Sequence, residues 1–535
     1  MESTSFLYKL RVEGVLDEEL ISPLEPVPVD DDTKALIEAF GEVTKKYPPK
    51  ELDKLGAVPE EGLEMMRKAG FFGMTIPKEY GGAGLTFRSY LALVEQVAAK
   101  DIALALVSLA HLSIGLEGII LFGTKEQKER YLRPAASGEM IFAYALTEPD
   151  TGSDAQHINT SVTLSEDGGH YILNGRKTYI TNGNYAGGYT VFAKVEGGKE
   201  GEMVALIVER GWEGVEVGAD LDKMGIKASS TTPIKFDNVK VPVENLLGKE
   251  GEGFKIAMTI LNYGRLAVAS AGVGLMKRSI EDMRARASKR IQFGVPIIDF
   301  ELIKEKIAKA RVHSFAAESM VWATAGQLDR DPTANAAMET SHCKLYSTTK
   351  TWETLYDAQQ VAGGSGYLAT APYERRLRDW RVATIFEGTT EIHSIYPALF
   401  AARAVSRELP KGKWEALKYL LLHAFRYPKE GSWPSHPALK RTLLTAKTLG
   451  RRFRFGFYYA LMRHGKKLPM KEIYLRKLAW LSLGEFAIRT ALIRAGKNPT
   501  REEIDLITYL REDAVAETSC LAADKREKLL HRLGK

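Results

Sequence analysis

Along the chain the spacing of apolar residues changes period twice. Residues 33–141 place apolar side chains at helical spacing, clearest over 60–69 and 89–99, with few turn clusters between them. The exception is the loop Thr75-Ile76-Pro77-Lys78-Glu79-Tyr80-Gly81-Gly82-Ala83-Gly84, stiffened by its proline and loosened by its glycines. From 142 to 251, short runs rich in β-branched and aromatic residues alternate with Gly, Asn and Asp turns. HYIL at 170–173, YTVFAKV at 189–195, MVALIV at 203–208 and IKFDNVKV at 234–241 predict an antiparallel sheet or a small barrel. Helical spacing returns over 252–406, where Leu302, Ile303, Ile307, Ala310, Ser314, Ala317 and Met320 are expected along one helix face. Residues 1–32 form a leading segment and 407–535 a helical extension. This order of helices, sheet and helices is not the strand–helix alternation of a Rossmann fold. No GxGxxG follows a strand, so a bound nucleotide would have to be held in another way.

Residues 102–122, IALALVSLAHLSIGLEGIILF, are long enough to span a bilayer. Glu117 and His111 inside the run favour a buried helix pair instead. Charge is uneven. Residues 410–535 hold 27 Lys and Arg against 12 Asp and Glu, a net of +15, which against +6 for the whole chain leaves −9 for residues 1–409. No nucleic-acid motif accompanies the basic residues, so nucleic acid is not an expected partner. Phe455, Tyr458, Tyr459 and Met462 follow helical spacing beside Arg451, Arg452, Arg454 and Arg463. Such a helix suits either packing on the rest of the chain or peripheral contact with a membrane surface. The two cysteines, Cys343 and Cys520, lie far apart and form neither a disulfide framework nor a metal pair; no metal site is expected. Acidic residues crowd positions 1–32, unlike a signal or transit peptide. A cytoplasmic location is the expectation.

Four segments carry candidate chemistry. Thr147-Glu148-Pro149-Asp150-Thr151-Gly152-Ser153-Asp154 follows an apolar run. It reads either as a capped loop or as a cluster of backbone N–H groups and hydroxyls that can bind a polar heterocycle. Glu387 follows the apolar run Val382-Ala383-Thr384-Ile385-Phe386 and precedes Gly388. An apolar approach suits a carboxylate that must act as a base, although a surface glutamate at a turn fits as well. Arg290 in RASKRIQFG and the glycines Gly363, Gly364 and Gly366 read locally as a helix-end cation and a helix stop.

Taken together, these segments resemble the acyl-CoA dehydrogenase family over essentially the whole chain. The matching pieces run in family order: GFFGMTIPKEYGGAGL at 70–85, LFGTKEQKERYL at 121–132, AYALTEPDTGSDA at 143–155, KTYITNG at 177–183, MGIKASST at 224–231, LNYGR at 261–265, RIQFG at 290–294, QVAGGSGYL at 360–368 and RDWRVATIFEGTTEI at 378–392. Within the family the chain is similar to the very-long-chain type, which carries a C-terminal extension. The resemblance implies a mainly α fold with a central β domain: an N-terminal helical domain, an antiparallel β domain, a C-terminal four-helix bundle and the added helical extension.

It also implies roles. Glu387 would be the catalytic base. Tyr144, Leu146, Thr147, Ser153, Tyr179, Ile180 and Thr181 would contact the flavin of FAD. Arg290 and Phe293, with Gln360, Gly363, Gly364, Thr389 and Glu391, would hold the rest of an FAD shared across a homodimer. Ser153, Asn262, Tyr263, Gly264, Arg265, Phe386 and Gly388 would contact the acyl-CoA substrate. Asn262 and Gly264 would leave room for a long acyl chain. The chain departs from the family pattern at Tyr179, where many members have Trp, and at Glu391, where several have Gln. The implied reaction is dehydrogenation of long-chain acyl-CoA to trans-2-enoyl-CoA, with electrons passing to an electron-transfer flavoprotein. An acyl-CoA oxidase shares its first half, and a catalytically silent assembly protein of the same fold is a third reading.

Overall fold

The computed structural model describes residues 5–21, 31–198, 202–428 and 436–519. They divide into two compact units: residues 27–290 with 352–387, and residues 1–26, 291–351 and 388–535.

The first unit opens with helices Asp31–Lys46, Pro49–Leu55, Glu60–Lys68 and Phe87–Lys100. The 102–122 stretch is not one continuous α-helix. It is the helix Ile102–Ala110, a π turn His111–Gly115 and the helix Glu117–Phe122. Asp101 starts it by accepting the Leu104 N–H at 2.7 Å, which satisfies one of the donors a helix start leaves open. Among the described residues two stretches are long and apolar enough to cross a membrane, this one and Gly253–Lys289, but their windows are 83% and 78% buried within the fold. His111 ties the π turn to its surroundings. Its Nε2 lies 3.2 Å from the Phe72 carbonyl and its Nδ1 accepts the Phe142 N–H at 2.9 Å. Burial lowers its pKa to about 4, so the ring stays neutral, as that pattern of one donor and one acceptor needs.

After the helix Lys125–Ser137 come strands β1 (Ile141–Ala145), β2 (Ser161–Leu164), β3 (His170–Thr181), β4 (Ala186–Val195), β5 (Met203–Glu209), β6 (Val215–Val217), β7 (Thr231–Pro242) and β8 (Leu246–Leu247). Their order is β6-β7-β3-β2-β4-β5-β8, with β1 added on β4. The four runs named from sequence lie in β3, β4, β5 and β7. The sheet is mixed, however, and this corrects the antiparallel expectation: β1 and β2 both pair parallel with β4. β1 arrives from the helical side, and the 146–160 excursion lets β2 enter beside β4 in the same direction. One face is dry, with Tyr171, Leu173, Val191, Leu206, Phe236 and Val239 in its core. The helix Gly253–Lys289 follows, and later the helix Tyr373–Trp380 and the turn Arg381–Thr384.

In the second unit, strands β9 (Ile291–Gln292) and β10 (Val295–Pro296) form a hairpin. Helices Glu301–Arg330, Thr390–Glu408, Lys413–Phe425, Lys440–His464, Glu472–Ala495 and Arg501–Ser519 belong to it as well. Along Glu301–Arg330 the expected face is buried from Ile307 to Met320, but Leu302 is 73% exposed and stands outside it. The helix Glu472–Ala495 packs against Glu301–Arg330, Thr390–Glu408, Lys440–His464 and Arg501–Ser519. The first described residues, 5–13, are buried here too. Arg11 pairs with Glu485 and donates to Ser482 Oγ at 3.0 Å, while Arg489 reaches Glu485 at 2.7 Å. The basic stripe of the extension is split by this packing. Tyr458 and Arg454 are buried, whereas Phe455 and Tyr459 remain at the surface.

Candidate active site

Glu387 sits on a strained backbone. Its φ is +56°, in the left-handed region, and Gly388 continues at φ +95°. A side-chain-bearing residue there costs on the order of 1–3 kcal/mol and persists only when the surroundings fix it. Arg265 Nε donates to the Glu387 carbonyl at 3.4 Å and its Nη1 to Asn262 Oδ1 at 3.5 Å. In the other unit, Lys344 Nζ donates to the Gly388 carbonyl at 2.5 Å. Gly264 makes room for the carboxylate: a Cβ there would stand 3.0 Å from Glu387 Oε2 and 2.6 Å from Ile114 Cγ2. The Tyr144 hydroxyl is pushed far above its usual pKa, first by burial and then by the Glu387 charge, with Arg265 acting the other way. It stays protonated and donates to the Ala257 carbonyl at 3.3 Å.

Phe386, Glu387, Gly264 and Thr181 line an apolar cavity. Leu106, Leu109, Ala267 and Trp380 line it as well. Trp380 is 1% exposed, the largest fully buried side chain of the described residues.

Sequence reasoning passed over the polar group that joins these walls. Asp379, also at the cavity, accepts the Ile226 N–H at 2.6 Å. Arg375 lies 2.9 Å from Asp101 and 3.8 Å from Asp379. The cap of the helix Ile102–Ala110, the 224–231 loop and the helix Tyr373–Trp380 are thus held by two carboxyls around one guanidinium. Burial, and then the Asp101 charge, raise the Asp379 pKa to about 7. No local signal marks Asp379, which follows an arginine in an ordinary charged helix.

The 144–154 segment is also more built than its sequence suggests. Lys177 on β3 is fully buried; its Nζ donates to the Leu146 carbonyl at 3.0 Å and to Glu148 Oε1 at 2.8 Å. Glu148 in turn accepts the N–H groups of Asn159 at 2.5 Å and Thr160 at 2.9 Å. Thr178 N–H donates to the Thr147 carbonyl at 2.9 Å. The β3–β7 register slips between Lys177 and Ile180, and at the slip Tyr179 has φ +57° and is 65% exposed.

The expected flavin residues therefore share one end of the sheet. Thr147 and Thr181 are half-buried, Tyr179 and Ser153 are exposed, and Leu146 and Ile180 turn their side chains inward, leaving their backbone for contact. The Thr147 N–H donates to no group among the described residues. An open amide, two hydroxyls and an exposed aromatic face suit a planar heterocycle with polar edges, so the residues present fit a flavin.

The other expected residues are not brought into this cavity. Arg290, Gln360, Gly363 and Gly364 are exposed on the same unit, and Gly363 has φ +64°. In the second unit Phe293 is 95% exposed at the hairpin tip, with φ +52°. Thr389 caps the helix Thr390–Glu408 by accepting the Ile392 N–H at 3.3 Å, and Glu391 is exposed.

A helical, mixed-sheet and helical chain thus carries a carboxylate at an apolar cavity, and Thr181 at the end of β3 lines the same cavity. Comparison with known proteins identifies the family. The acyl-CoA dehydrogenase N-terminal, middle and C-terminal domain models match residues 30–139, 143–239 and 251–396. The very long-chain specific acyl-CoA dehydrogenase of Macaca fascicularis is 36% identical over 98% of this chain and 83% of that protein. An acyl-CoA dehydrogenase from Bacillus anthracis, solved with FAD, has a TM-score of 0.82 at 29% identity, covering 96% of this chain and 90% of that one. The butyryl-CoA dehydrogenase of Megasphaera elsdenii aligns over 70% of this chain and 99% of its own, at 32% identity and a TM-score of 0.66. The chain belongs to the acyl-CoA dehydrogenase family, and as such is an FAD-dependent oxidoreductase.

Proposed function

We propose that the chain dehydrogenates long-chain acyl-CoA thioesters to trans-2-enoyl-CoA, with Glu387 as the base. The observation that carries this is the apolar cavity ending on the Glu387 carboxylate, with Gly264 in place of any side chain beside it. The α-hydrogen of a thioester is weakly acidic, so its removal needs a base aligned and shielded from water. Glu387 takes the α-proton onto its carboxylate. Its backbone N–H, turned by the positive φ, donates to the thioester carbonyl and stabilises the developing enolate. Arg265, bonded to the Glu387 carbonyl, holds the following peptide in place, and Phe386 keeps water from the reacting carbons. FAD, when bound at Thr147, Tyr179 and Thr181, supplies the acceptor for the β-hydride. Ser153, Asn262 and Tyr263 are the further substrate contacts of this reading.

The finer assignments follow the same reading. Two copies pair, and Arg290 and Phe293 of one chain reach the cofactor of the other, for which the bare Phe293 ring is suited. Electrons leave to an electron-transfer flavoprotein. The helix Lys413–Phe425 exposes Trp414, Leu422 and Phe425 within the basic extension, which supports peripheral membrane contact. With only two cysteines and no pairing pattern, a reducing compartment such as the cytoplasm is the proposed location.

The test is anaerobic bleaching of the flavin-loaded protein by acyl-CoAs of C8, C12 and C16 chains. Fastest bleaching at C12 or C16 supports the assignment, and an optimum at C8 or below overturns the long-chain part. Stoichiometric peroxide in air would make it an oxidase, and no bleaching with any chain a silent protein.

A further inference from the structure

The Lys177–Glu148 pair is placed where a structural ion pair would be costly and a functional one is useful. Both side chains are buried, at 0% and 3% exposure. Taking such a pair out of water seldom stabilises a fold more than apolar residues of the same size would. Lys177 does not simply neutralise its partner. One of its protons goes to the Leu146 carbonyl at 3.0 Å. That carbonyl belongs to the same peptide unit as the Thr147 N–H, which donates to no group among the described residues. A cation on the oxygen of a peptide draws charge through the amide and strengthens its N–H as a donor, and the low dielectric of a buried site enlarges the effect.

We propose that Lys177 is a positioning residue for the flavin, polarising the Leu146–Thr147 peptide so that the Thr147 N–H donates more strongly to the negative charge the ring gains on reduction. Glu148 is the opposing weight: it fixes the ammonium and subtracts from its field. The inference rests on the reading that Thr147 meets the flavin. Burial lowers the Lys177 pKa to about 8, which leaves the cation predominantly protonated near neutral pH. Glu148 is pulled the other way: burial favours its neutral form, but Lys177 and the Thr160 and Asn159 N–H groups outweigh this and hold the carboxyl below its usual range.

The two residues have opposite signs, so their substitution separates electrostatics from damage. The measurement is the two-electron flavin potential of the purified holoenzyme, with the FAD dissociation constant measured alongside. Lys177→Met is expected to lower the reduced-to-oxidised ratio at a given potential about tenfold, equivalent to about 30 mV for a two-electron couple. Glu148→Gln is expected to raise that ratio, and Lys177→Arg to stay near wild type. Shifts of Met and Gln in the same direction, or none, overturn the proposal. Should Lys177→Met fail to fold, Glu148→Gln decides alone, and an unchanged or lowered ratio overturns it. A wild-type chain that takes up no FAD overturns the parent reading and this one with it; a flavin-loaded wild type whose potential ignores both substitutions overturns this one only.

Discussion

Replacing Asp379 with Asn tests how the cavity wall is held. Asp379 has its oxygens 2.6 Å from the Ile226 N–H and 3.8 Å from Arg375, and its pKa is raised to about 7. A carboxyl whose folded-state pKa lies above its unfolded value binds its proton more tightly when folded. Its contribution is therefore fully present below pH ~4 and is lost as pH rises towards 7. A rise of roughly three units at about 1.4 kcal/mol per unit sets a ceiling of about 4 kcal/mol on that loss. Asn keeps an oxygen for Ile226 at every pH and has no proton to lose. The stability of Asp379→Asn relative to wild type should therefore climb from about pH 4 to about pH 7 and level off beyond. Urea midpoints at half-unit steps from pH 5 to 8.5 would record it. Parallel curves for the two proteins would refute the reasoning, because they would mean that Asp379 titrates alike in the folded and unfolded chains.

Three further outcomes are expected. Glu387→Gln should keep FAD and lose about 10²–10⁴-fold in the rate of flavin bleaching, read by stopped flow. Trp380→Leu should enlarge the cavity and move the best substrate to longer chains. The ratio of kcat/KM between successive lengths would then change by about fourfold per added methylene accommodated, from about 0.8 kcal/mol each. Arg11→Met should destabilise the second unit by about 3 kcal/mol, the low end for breaking a buried ion pair, because Arg489 still faces Glu485; thermal midpoints would measure it.

The strands rich in β-branched residues, β3, β4, β5 and β7, were legible because their composition is local information. β2 was not: Ser161–Leu164 is short, with two polar residues out of four, and it exists because β3 and β4 flank it. Parallel pairing was equally hidden, since strand direction depends on where the 146–160 excursion returns. Glu387 could be found from its motif, but the positive φ that turns it could not. No local signal marks Lys177 as buried, because its burial depends on Glu148, 29 residues earlier. In the extension, helical spacing put Phe455, Tyr458 and Tyr459 on one face, but packing buries Tyr458 and leaves the other two at the surface. The spacing did not reveal that the buried side would include Arg454, because the carbonyls of Leu10 and Arg11 that receive this guanidinium lie at the other end of the chain.

That last arrangement has a consequence for synthesis on the ribosome. Arg11 waits for Glu485, 474 residues later. At about 5–20 residues per second, that interval is on the order of 25–95 s. Most of the unit holding the cavity, residues 27–290, can emerge and begin folding in that time. The opening segment, with Phe6, Leu7 and Leu10 destined for burial, meets its partners in turn: Gln327 and Glu339 first, and Glu485 only when the helix Glu472–Ala495 has left the exit tunnel. Nascent chains stalled before residue 327 should therefore present these residues to chaperones, and release of the full chain should withdraw them.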